Sequence, residues 1–462
     1  MPVGWSSDVD LHLGVTAPIR TALDLSTALR AAVRDGRLAA GATLPSTRVL
    51  AGDLGLARGT VTAAYGQLAA EGFLEVHQGS PTRVADVDRV RPEPVPPAGP
   101  RPAWQMRHNL MPGMPDVSAF PRDSWLTATR RVLATTAAEQ LGYPHPLGHP
   151  VLRAALAAYL GRARGVLADP STVVIGPGFS ALLTQWAAVL GDHGVDAVTF
   201  EDPSVPHLRA AVRSAGLTVT AARVDEAGVR TEDIGSPAVV LTPAHQFPMG
   251  VTLAPSRRGR LARQAGAQDL HVLEDDYDGE FRFDRGPVGA LQALAPAQVT
   301  YAGTASKALA PGLRLAWLVV PPRLLPALGE RMALRSTSVP VLDQLVLADL
   351  ITSGAYDKHV RRMRNRYRTR RDAVVATAAA HGLAPAGIAA GLHLLLPTAD
   401  GGERAAAAAA RRHGLGIDLL ARYRLAHDHP DGLLVGYAAP ADHAFGPALR
   451  ALDAVLGEVS PR

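Results

Sequence analysis

The 462-residue chain contains no cysteine and only two lysines, Lys307 and Lys358, among its 47 basic residues. Without cysteine there are no disulfide bridges, thiolate metal ligands or cysteine nucleophiles, and this composition is typical of a reducing, cytoplasmic compartment. Apolar runs stay below the roughly 18 residues that a membrane-spanning helix needs, so we expect no membrane association. Residues 1–5 also lack the basic and apolar pattern of a secretory leader.

The length and the apolar content of 47% predict a globular protein with more than one domain. The net charge of +5 is compatible with nucleic-acid binding but does not demonstrate it. Prolines crowd residues 86–104, where they block helices and central strands, and we interpret this stretch as a linker. It separates a compact segment, residues 16–85, from a long region, residues 105–462.

In the long region, short apolar runs alternate with helical patterns, and this order predicts an α/β domain. The sheet is expected to be mostly parallel and covered on both faces. The predicted strands are residues 172–175, 197–200, 238–241 and 271–274, and the clearest helices are residues 180–190 and 257–267.

The compact segment has the pattern of three helices followed by two short strands. The first helix is predicted over residues 22–34, the second begins after a capping Ser46, and the third covers residues 58–71. Residues 72–76 and 82–84 have the pattern of a β-wing. This order predicts a winged helix-turn-helix, whose third helix presents its N-terminal side chains to the major groove of DNA.

With the motifs Leu44-Pro45-Ser46-Thr47-Arg48 and Arg58-Gly59-Thr60-Val61, the same segment resembles the GntR family of bacterial regulators. The resemblance implies DNA contacts from Arg48, Arg58, Gly59 and Thr60, with Gly79 at the wing. Arg58 suits guanine readout or a phosphate contact, whereas Thr60 and Ser46 suit phosphate positioning. The alternative is a small helical interaction domain. The matching residues are Gly36-Arg37-Leu38, Leu44-Pro45-Ser46-Thr47-Arg48, Arg58-Gly59-Thr60-Val61, Ala64-Tyr65 and Glu71-Gly72.

Lys307 follows Thr304-Ala305-Ser306 in the long region. An amine can form a Schiff base with an aldehyde, whereas a guanidinium is always protonated and cannot. A chain that has almost no lysine but keeps one beside small hydroxyl residues therefore suggests amine chemistry. The alternative is a leftover surface lysine, a description that suits Lys358.

Residues from about 105 onward resemble the fold-type I aminotransferases, which hold pyridoxal 5'-phosphate on a lysine. The motif residues are Thr304, Ser306 and Lys307, followed by Arg314. The resemblance implies that Lys307 is the catalytic lysine that binds the cofactor. It also implies that Arg314 pairs with the cofactor phosphate, with the Thr304 and Ser306 hydroxyls nearby.

Asp275 and Tyr277 match the other half of that site. The resemblance implies that Asp275 pairs with the pyridine nitrogen and that Tyr277 hydrogen-bonds the phenolic oxygen. The alternatives for Asp275 and its neighbour Asp276 are a helix cap or a metal site; we expect no metal. Gly178, Phe179 and Ser180 match the phosphate loop at a helix N-terminus.

Tyr143 matches a tyrosine that reaches the phosphate from the neighbouring subunit, which implies a homodimer. Two positions depart from the aminotransferase pattern: Val205 stands where an aromatic residue usually stacks on the ring, and Leu434 stands where an arginine usually clamps the substrate carboxylate. A neighbouring arginine, Arg422 or Arg424, could replace that clamp. We therefore expect transaminase activity to be weak or absent.

A GntR-like head, a proline-rich linker and an aminotransferase-like body together resemble the MocR subfamily of transcriptional regulators. The resemblance implies a head-to-tail homodimer that binds an operator in double-stranded DNA and senses either pyridoxal phosphate, as PdxR-like regulators do, or an amine or amino acid, as GabR-like ones do. Two alternatives stay open: an active aminotransferase with an accessory DNA-binding head, and a body that has lost the cofactor and only dimerises.

Overall fold

The computed structural model divides the chain into two compact units, residues 1–99 and 100–462. We call their described parts the head (residues 18–87) and the body (residues 106–459). Of the linker predicted over residues 86–104, only residues 86 and 87 are described, so the rest of that prediction lies outside the described residues. The structure describes residues 18–77, 79–87, 106–283, 288–335 and 337–459.

The head contains the predicted three helices and two-stranded wing. Thr21 and Asp24 form a capping box at the first helix, and the Ser46 hydroxyl accepts from the Val49 N–H at the start of the second. Gly55 ends that helix with φ 65°, a left-handed conformation that favours glycine. The elements are α1 (Ala22–Arg34), α2 (Thr47–Leu54), α3 (Arg58–Ala70), β1 (Leu74–Glu75) and β2 (Arg83–Val84), with β1 and β2 antiparallel.

The helices of the body surround the sheets in the alternating order that the sequence predicts. The helix predicted over residues 257–267 begins two residues earlier, at Pro255, because proline is well suited to the first turn of a helix. The helices are α4 (Arg122–Thr135), α5 (Pro150–Arg164), α6 (Phe179–Asp192), α7 (Pro206–Ser214), α8 (Pro255–Gln268), α9 (Leu325–Leu334), α10 (Val341–Thr352), α11 (Ala355–Ala380), α12 (Gly402–Arg412) and α13 (Asp442–Val459).

The main sheet of the body has the strand order β4-β11-β10-β9-β8-β5-β6-β7. Pairing is parallel from β10 through β6, whereas β11 and β7 pair antiparallel with their neighbours. These strands are β4 (Val173–Gly176), β5 (Ala197–Asp202), β6 (Thr218–Asp225), β7 (Gly228–Val229), β8 (Ala238–Leu241), β9 (His271–Asp275), β10 (Val299–Thr304) and β11 (Ala316–Val319).

A smaller antiparallel sheet near the C-terminus has the order β12-β15-β14, and β13 pairs with β3. Its middle strand carries Leu434, which is fully buried. The strands are β3 (His108–Asn109), β12 (His393–Pro397), β13 (Leu415–Gly416), β14 (Asp418–Leu419) and β15 (Gly432–Gly436).

Alternate side chains of the main sheet enter different hydrophobic cores. In β11, Trp317 packs into the core that contains α5 and α10, while Leu318 packs into the core that contains α6. Because successive residues of a strand point to opposite faces, both faces of this sheet are covered. The prediction of a mostly parallel sheet with two covered faces is confirmed.

A buried ion pair ties the end of α5 to the end of β9. Arg164 Nε lies 2.6 Å from Asp276 Oδ2, and both side chains are almost completely buried. The Tyr301 hydroxyl donates to the same carboxylate oxygen at 2.7 Å. Asp276 is therefore a structural carboxylate rather than the helix cap or metal ligand considered from the sequence.

Replacing Arg164 with methionine leaves the Asp276 carboxylate buried and without its cation. We expect the free energy of unfolding to fall by about 3–5 kcal/mol, measured by urea unfolding with the fluorescence of the buried Trp186 and Trp317 as the signal. The double variant Arg164→Met/Asp276→Asn should recover part of that loss. An equal loss in the single and double variants would contradict the role of the pair.

Candidate functional site

One cavity of about 670 Å³ opens where the parallel strands of the main sheet end. In open α/β sheets, ligands bind at the carboxyl ends of the strands. The cavity brings together residues that are distant in sequence. Those predicted for the cofactor site that line it are Phe179, Ser180, Asp275, Tyr277, Thr304, Ser306, Lys307 and Arg314.

Lys307 lies in the turn after β10, with its amine directed into the cavity. Its Nζ donates a hydrogen bond of 2.6 Å to the Gly113 carbonyl. Burial lowers the pKa of the Lys307 ammonium below its ordinary value, and the charges of Asp278 and Asp275 oppose that shift. A lowered pKa increases the neutral, nucleophilic fraction of an amine.

Asp275 is the last residue of β9 and is 7% exposed. Within the described part of the chain its carboxylate makes no hydrogen bond. Burial raises the pKa of Asp275 well above its usual range, the charge of Asp276 adds to the rise, and Lys307 opposes it. A buried carboxylate of this kind is stabilised by a cationic partner in the cavity.

Tyr277 is held by a buried pair of side chains that the sequence did not assign to the site. His245 Nδ1 lies 2.8 Å from Asp278 Oδ2 and 3.1 Å from the Tyr277 hydroxyl. The His245 and Tyr277 rings also stack, with centroids 6.1 Å apart and an interplanar angle of 25°. Burial raises the pKa of Tyr277 well above its usual range, followed by the charge of Asp278, so the phenol stays protonated.

Arg314 and Gly178 meet at the N-terminus of α6, although 135 residues lie between them in the sequence. A Cβ on Gly178 would lie only 2.5 Å from an Arg314 terminal nitrogen, and Gly178 has φ 105°. Glycine is thus required here by conformation, and its missing Cβ leaves room for the guanidinium. Arg314 makes no hydrogen bond to the described residues, which leaves its donors available to an anion.

Two hydroxyls complete this end of the cavity. Thr304 Oγ1 lies 2.9 Å from Ser306 Oγ and accepts from the Ser306 N–H at 3.1 Å. Together with Arg314 and the first turn of α6, they form a set of donors suited to a phosphate group.

Glu201 and His207 line the cavity but were not among the predicted site residues. Glu201 precedes the end of β5 and is buried, where it accepts from the Thr242 N–H at 2.9 Å and from Gln246. Desolvation lowers the pKa of His207, and the charges of Lys307 and then Arg422 add to that shift. The sequence indicates these two residues only weakly. Both lie close to Val205, and this stretch is notable only because Val205 replaces the usual aromatic residue.

The positions that depart from the aminotransferase pattern lie in different places. Val205 lines the cavity, whereas Leu434 does not and packs in a small apolar cluster with Leu395 and Tyr423. Arg422 lines the cavity, whereas Arg424 pairs with Asp431 at 3.0 Å. Of the two arginines considered as a replacement clamp, only Arg422 is therefore placed to contact a bound molecule.

Tyr143 is fully exposed and does not line the cavity of its own chain. Its predicted contact requires a neighbouring subunit and stays a prediction. The three histidine, aspartate or glutamate side chains that a metal site would need do not come together anywhere in the described ranges. None of the described helices is long and apolar enough to cross a membrane.

The residues predicted to contact DNA lie at accessible positions of the head. Arg58 begins α3 and is exposed, and its Nε lies 3.4 Å from Thr47 Oγ1 of α2. Arg48, Gly59 and Gly79 are also exposed. The Ser46 hydroxyl accepts from the Val49 N–H as the cap of α2, and its own proton remains available to donate to a phosphate.

The basic run Arg361-Arg362-Met363-Arg364 in α11, which by its charge could also contact DNA, is largely engaged within the body. Arg364 Nε donates to the Glu280 carbonyl at 2.7 Å, and Met363 is buried. Arg362 lies 3.1 Å from His359 Nδ1. This run has structural contacts of its own, which favours packing over a direct role in DNA binding.

Two family models cover most of the described chain. Residues 21–84 match the bacterial regulatory proteins of the gntR family, and residues 112–421 match the class I and II aminotransferases. The solved structure of an archaeal alanine:glyoxylate aminotransferase superposes with a TM-score of 0.68 at 23% identity, over 76% of this chain and 91% of that one. This similarity shows the fold of the body.

The chain is also similar to transcriptional regulators over most of its length. The chain is 35% identical to the probable rhizopine catabolism regulatory protein MocR of Rhizobium meliloti, over 76% of each protein. It is 30% identical to the pyridoxine biosynthesis transcriptional regulator PdxR of Corynebacterium glutamicum, over 80% of this chain and 81% of that protein. These similarities define a helix-turn-helix regulator fused to an aminotransferase fold. The chain belongs to the MocR subfamily of GntR transcriptional regulators.

Glu201 makes the stability of the protein depend on pH. Burial raises the pKa of Glu201 from 4.5 to about 7, although hydrogen bonds from Thr242 and Gln246 oppose the shift. The folded state therefore holds this proton more tightly than the unfolded state. The resulting contribution to stability is complete below pH 4.5 and is lost as the pH rises through about 7.

Replacing Glu201 with glutamine removes this titration while keeping the shape of the side chain. As the pH rises from acidic to neutral, the native chain should lose on the order of 3 kcal/mol of its free energy of unfolding through Glu201. The variant should not show this loss. Urea unfolding of both proteins across that range measures the difference. If the free energies of unfolding of the two proteins change in parallel with pH, the raised pKa of Glu201 is contradicted.

Proposed function

We propose that this regulator binds pyridoxal 5'-phosphate in its body, on Lys307, and that its affinity for operator DNA depends on that cofactor or on an amine that reacts with it. The observation that carries the proposal is the meeting of Lys307, Asp275 and Arg314 around one cavity. An amine, a buried carboxylate and an available guanidinium match the three chemically distinct parts of this cofactor.

Each part of the cofactor has a counterpart in the cavity wall. Arg314, the first turn of α6 and the hydroxyls of Thr304 and Ser306 would hold the phosphate. Asp275 would pair with the ring nitrogen, whose positive charge relieves the burial of the carboxylate. The protonated Tyr277 would donate to the phenolic oxygen.

When bound, the cofactor supplies an aldehyde that condenses reversibly with primary amines and a ring that withdraws electrons from them. Lys307 supplies the amine, and its lowered pKa favours the nucleophilic form. An effector amine that competed with Lys307 for this aldehyde would leave the lysine side chain free and would change the charge in the cavity. A local change of this kind could shift an equilibrium between conformations that bind the operator with different affinity.

Sensing is favoured over turnover by two positions. Efficient transamination needs the substrate held so that its α-proton bond is aligned with the ring system. Val205 offers only a small aliphatic surface for stacking, and the apolar Leu434 lies outside the cavity lining. We therefore propose that steady transamination, the activity of the alternative enzyme reading, is weak or absent.

We propose a head-to-tail homodimer, and exposed apolar side chains in the segment that leads to Tyr143 support a subunit interface there. Leu126, Leu133 and Leu141 are each about half exposed in the single chain, and Tyr143 is fully exposed. Apolar side chains clustered in one exposed segment are typical of an interface. A second copy would cover this segment and bring its tyrosine to the partner's phosphate site.

Lys307→Ala should abolish covalent cofactor binding, since no other amine is directed into the cavity within the described residues. Native protein incubated with pyridoxal phosphate should be yellow, and borohydride reduction should fix the cofactor to the chain. Lys358→Ala removes the only other lysine and should leave both properties intact. Mass spectrometry of the reduced proteins tests the assignment, and a reducible cofactor on Lys307→Ala would refute it.

Arg58→Ala should weaken operator binding by about 1–3 kcal/mol if Arg58 reads a base, with relaxed specificity at that base pair. If Arg58 contacts phosphate instead, the salt dependence of binding should become shallower. Cofactor absorbance should not change, because Arg58 lies in the other unit. Arg20→Ala, at an exposed position before α1 and outside the residues that match the GntR pattern, is the matched control. Native affinity and specificity in Arg58→Ala would argue against α3 as the recognition helix.

A further inference from the structure

A buried histidine–aspartate pair adjoins the Tyr277 hydroxyl. Tyr277 lines the cavity, whereas His245 and Asp278 do not. Their side chains are only 3% and 2% exposed, and the backbone at Gly391 packs so closely against both that a Cβ there would overlap them. The pair is thus screened from bulk solvent, and a carboxylate in such a place is stable only with a hydrogen-bond donor beside it.

The Tyr277 ring is restricted by two aromatic neighbours. The His245 ring lies nearly parallel to it, at an interplanar angle of 25°, and the Phe247 ring meets it edge-on, at 86°. In both cases the ring centroids are 6.1 Å apart. Because these contacts hold the ring, the main remaining freedom of Tyr277 is the direction in which its hydroxyl proton points.

The partners of His245 determine which of its ring nitrogens carries a proton. Nδ1 lies 2.8 Å from Asp278 Oδ2 and 3.1 Å from the Tyr277 hydroxyl. An ionised carboxylate only accepts hydrogen bonds, so Nδ1 must carry the proton and donate it to Asp278. A protonated Nδ1 cannot accept a second proton, and the Tyr277 hydroxyl therefore cannot donate to His245.

The neighbouring His393 does not compete with this arrangement. The centroid of its ring lies 5.4 Å from that of His245, and burial lowers the pKa of His393 to about 3, so it brings no positive charge to Asp278. Tyr277 keeps its own proton, since burial and then the charge of Asp278 raise its pKa well above the usual range. The Tyr277 hydroxyl can therefore act as a donor toward the cavity.

We propose that His245 is a positioning residue for the cofactor: held with its proton on Nδ1 by Asp278, it leaves the Tyr277 proton to be donated to the phenolic oxygen. This inference rests on the proposed function, because the phenolic oxygen belongs to the cofactor held at Lys307. Without His245, the buried Asp278 carboxylate would lose its donor and would take the Tyr277 proton instead. The ring would stay in the cavity wall, but the cofactor would lose a hydrogen bond.

The test measures the affinity of the full-length protein for pyridoxal phosphate, by titration followed through the absorbance of the cofactor. Tyr277→Phe removes the donated proton and should raise the Kd about 10- to 100-fold, the effect expected for a hydrogen bond to a charged acceptor. It should also shift the absorbance maximum of the bound cofactor, because a donor favours the ionised form of the phenolic oxygen.

His245→Leu should raise the Kd by a similar factor and shift the absorbance in the same direction, although residue 245 does not line the cavity. In the Tyr277→Phe background, His245→Leu should have little further effect, because both substitutions remove the same hydrogen bond. His245→Asn should restore most of the native affinity, since its amide N–H can take the place of the Nδ1–H.

His381→Leu is the matched control, because His381 also lies 2.8 Å from an aspartate, Asp453, but outside the cavity lining. This variant should keep the native Kd. Inorganic phosphate, which has no phenolic oxygen, should compete for the cofactor site with the same affinity in the native protein and in His245→Leu. A change in phosphate affinity would show general damage to the cavity and overturn the inference.

A native Kd in His245→Leu, or an equal loss of affinity with and without Tyr277, also overturns the inference. If His245→Leu does not fold, Asp278→Asn takes its place. Its amide can donate to Nδ1, which turns that nitrogen into an acceptor for the Tyr277 proton, and its effect should likewise depend on Tyr277. A native protein that takes up no cofactor overturns the proposed function instead, so the two failures are distinguishable.

Discussion

The parallel pairing of β5, β8, β9 and β10 determines where this protein does its chemistry. Neighbouring strands run in the same direction and in close register, with Phe200 beside Val240, Leu241 beside Glu274, and Asp275 beside Ala302. All four carboxyl ends therefore meet at one edge of the sheet. The groups at or just after these ends, among them Glu201, Thr242, Asp275 and Lys307, therefore line one cavity.

Two adjacent carboxylates at the end of β9, those of Asp275 and Asp276, have different roles because they lie in different environments. Successive residues of a strand point to opposite sides, so Asp275 and Asp276 enter different environments. Asp276 meets Arg164 and Tyr301 and is fully satisfied inside the protein. Asp275 faces the cavity with no hydrogen bond from the described residues. Only the environment of Asp275 therefore leaves free energy to be gained when a cationic ligand binds.

The sequence predicted the elements of the head and the character of the main sheet. These predictions succeeded because each rests on local information, such as helix periodicity and the cap at Ser46. The residues of the motif around Lys307 line one cavity, and their roles toward a cofactor stay predictions. Exact ends were less certain, as the start of α8 at Pro255 shows.

The remaining contacts join residues that no local pattern connects. Gly178 admits the Arg314 guanidinium, His245 reaches Asp278 across 33 positions, and Asp202 binds backbone groups more than 220 positions away. Such pairs are fixed by strand order and by packing, which only the folded chain defines. Tyr143 marks a further limit, because its predicted partner belongs to a second copy of the chain.

A DNA-binding protein with an aminotransferase fold is a sensor only if ligand binding in the cavity changes its affinity for the operator. It is measured most directly by fluorescence anisotropy, with an operator fragment selected from genomic DNA and the same protein before and after loading with pyridoxal phosphate. A sensor requires the operator Kd to differ between the two states by about 5- to 150-fold, and operator DNA must shift the cofactor affinity by the same factor. An identical operator Kd in both states, with and without added amino acids, would contradict sensing through this cavity.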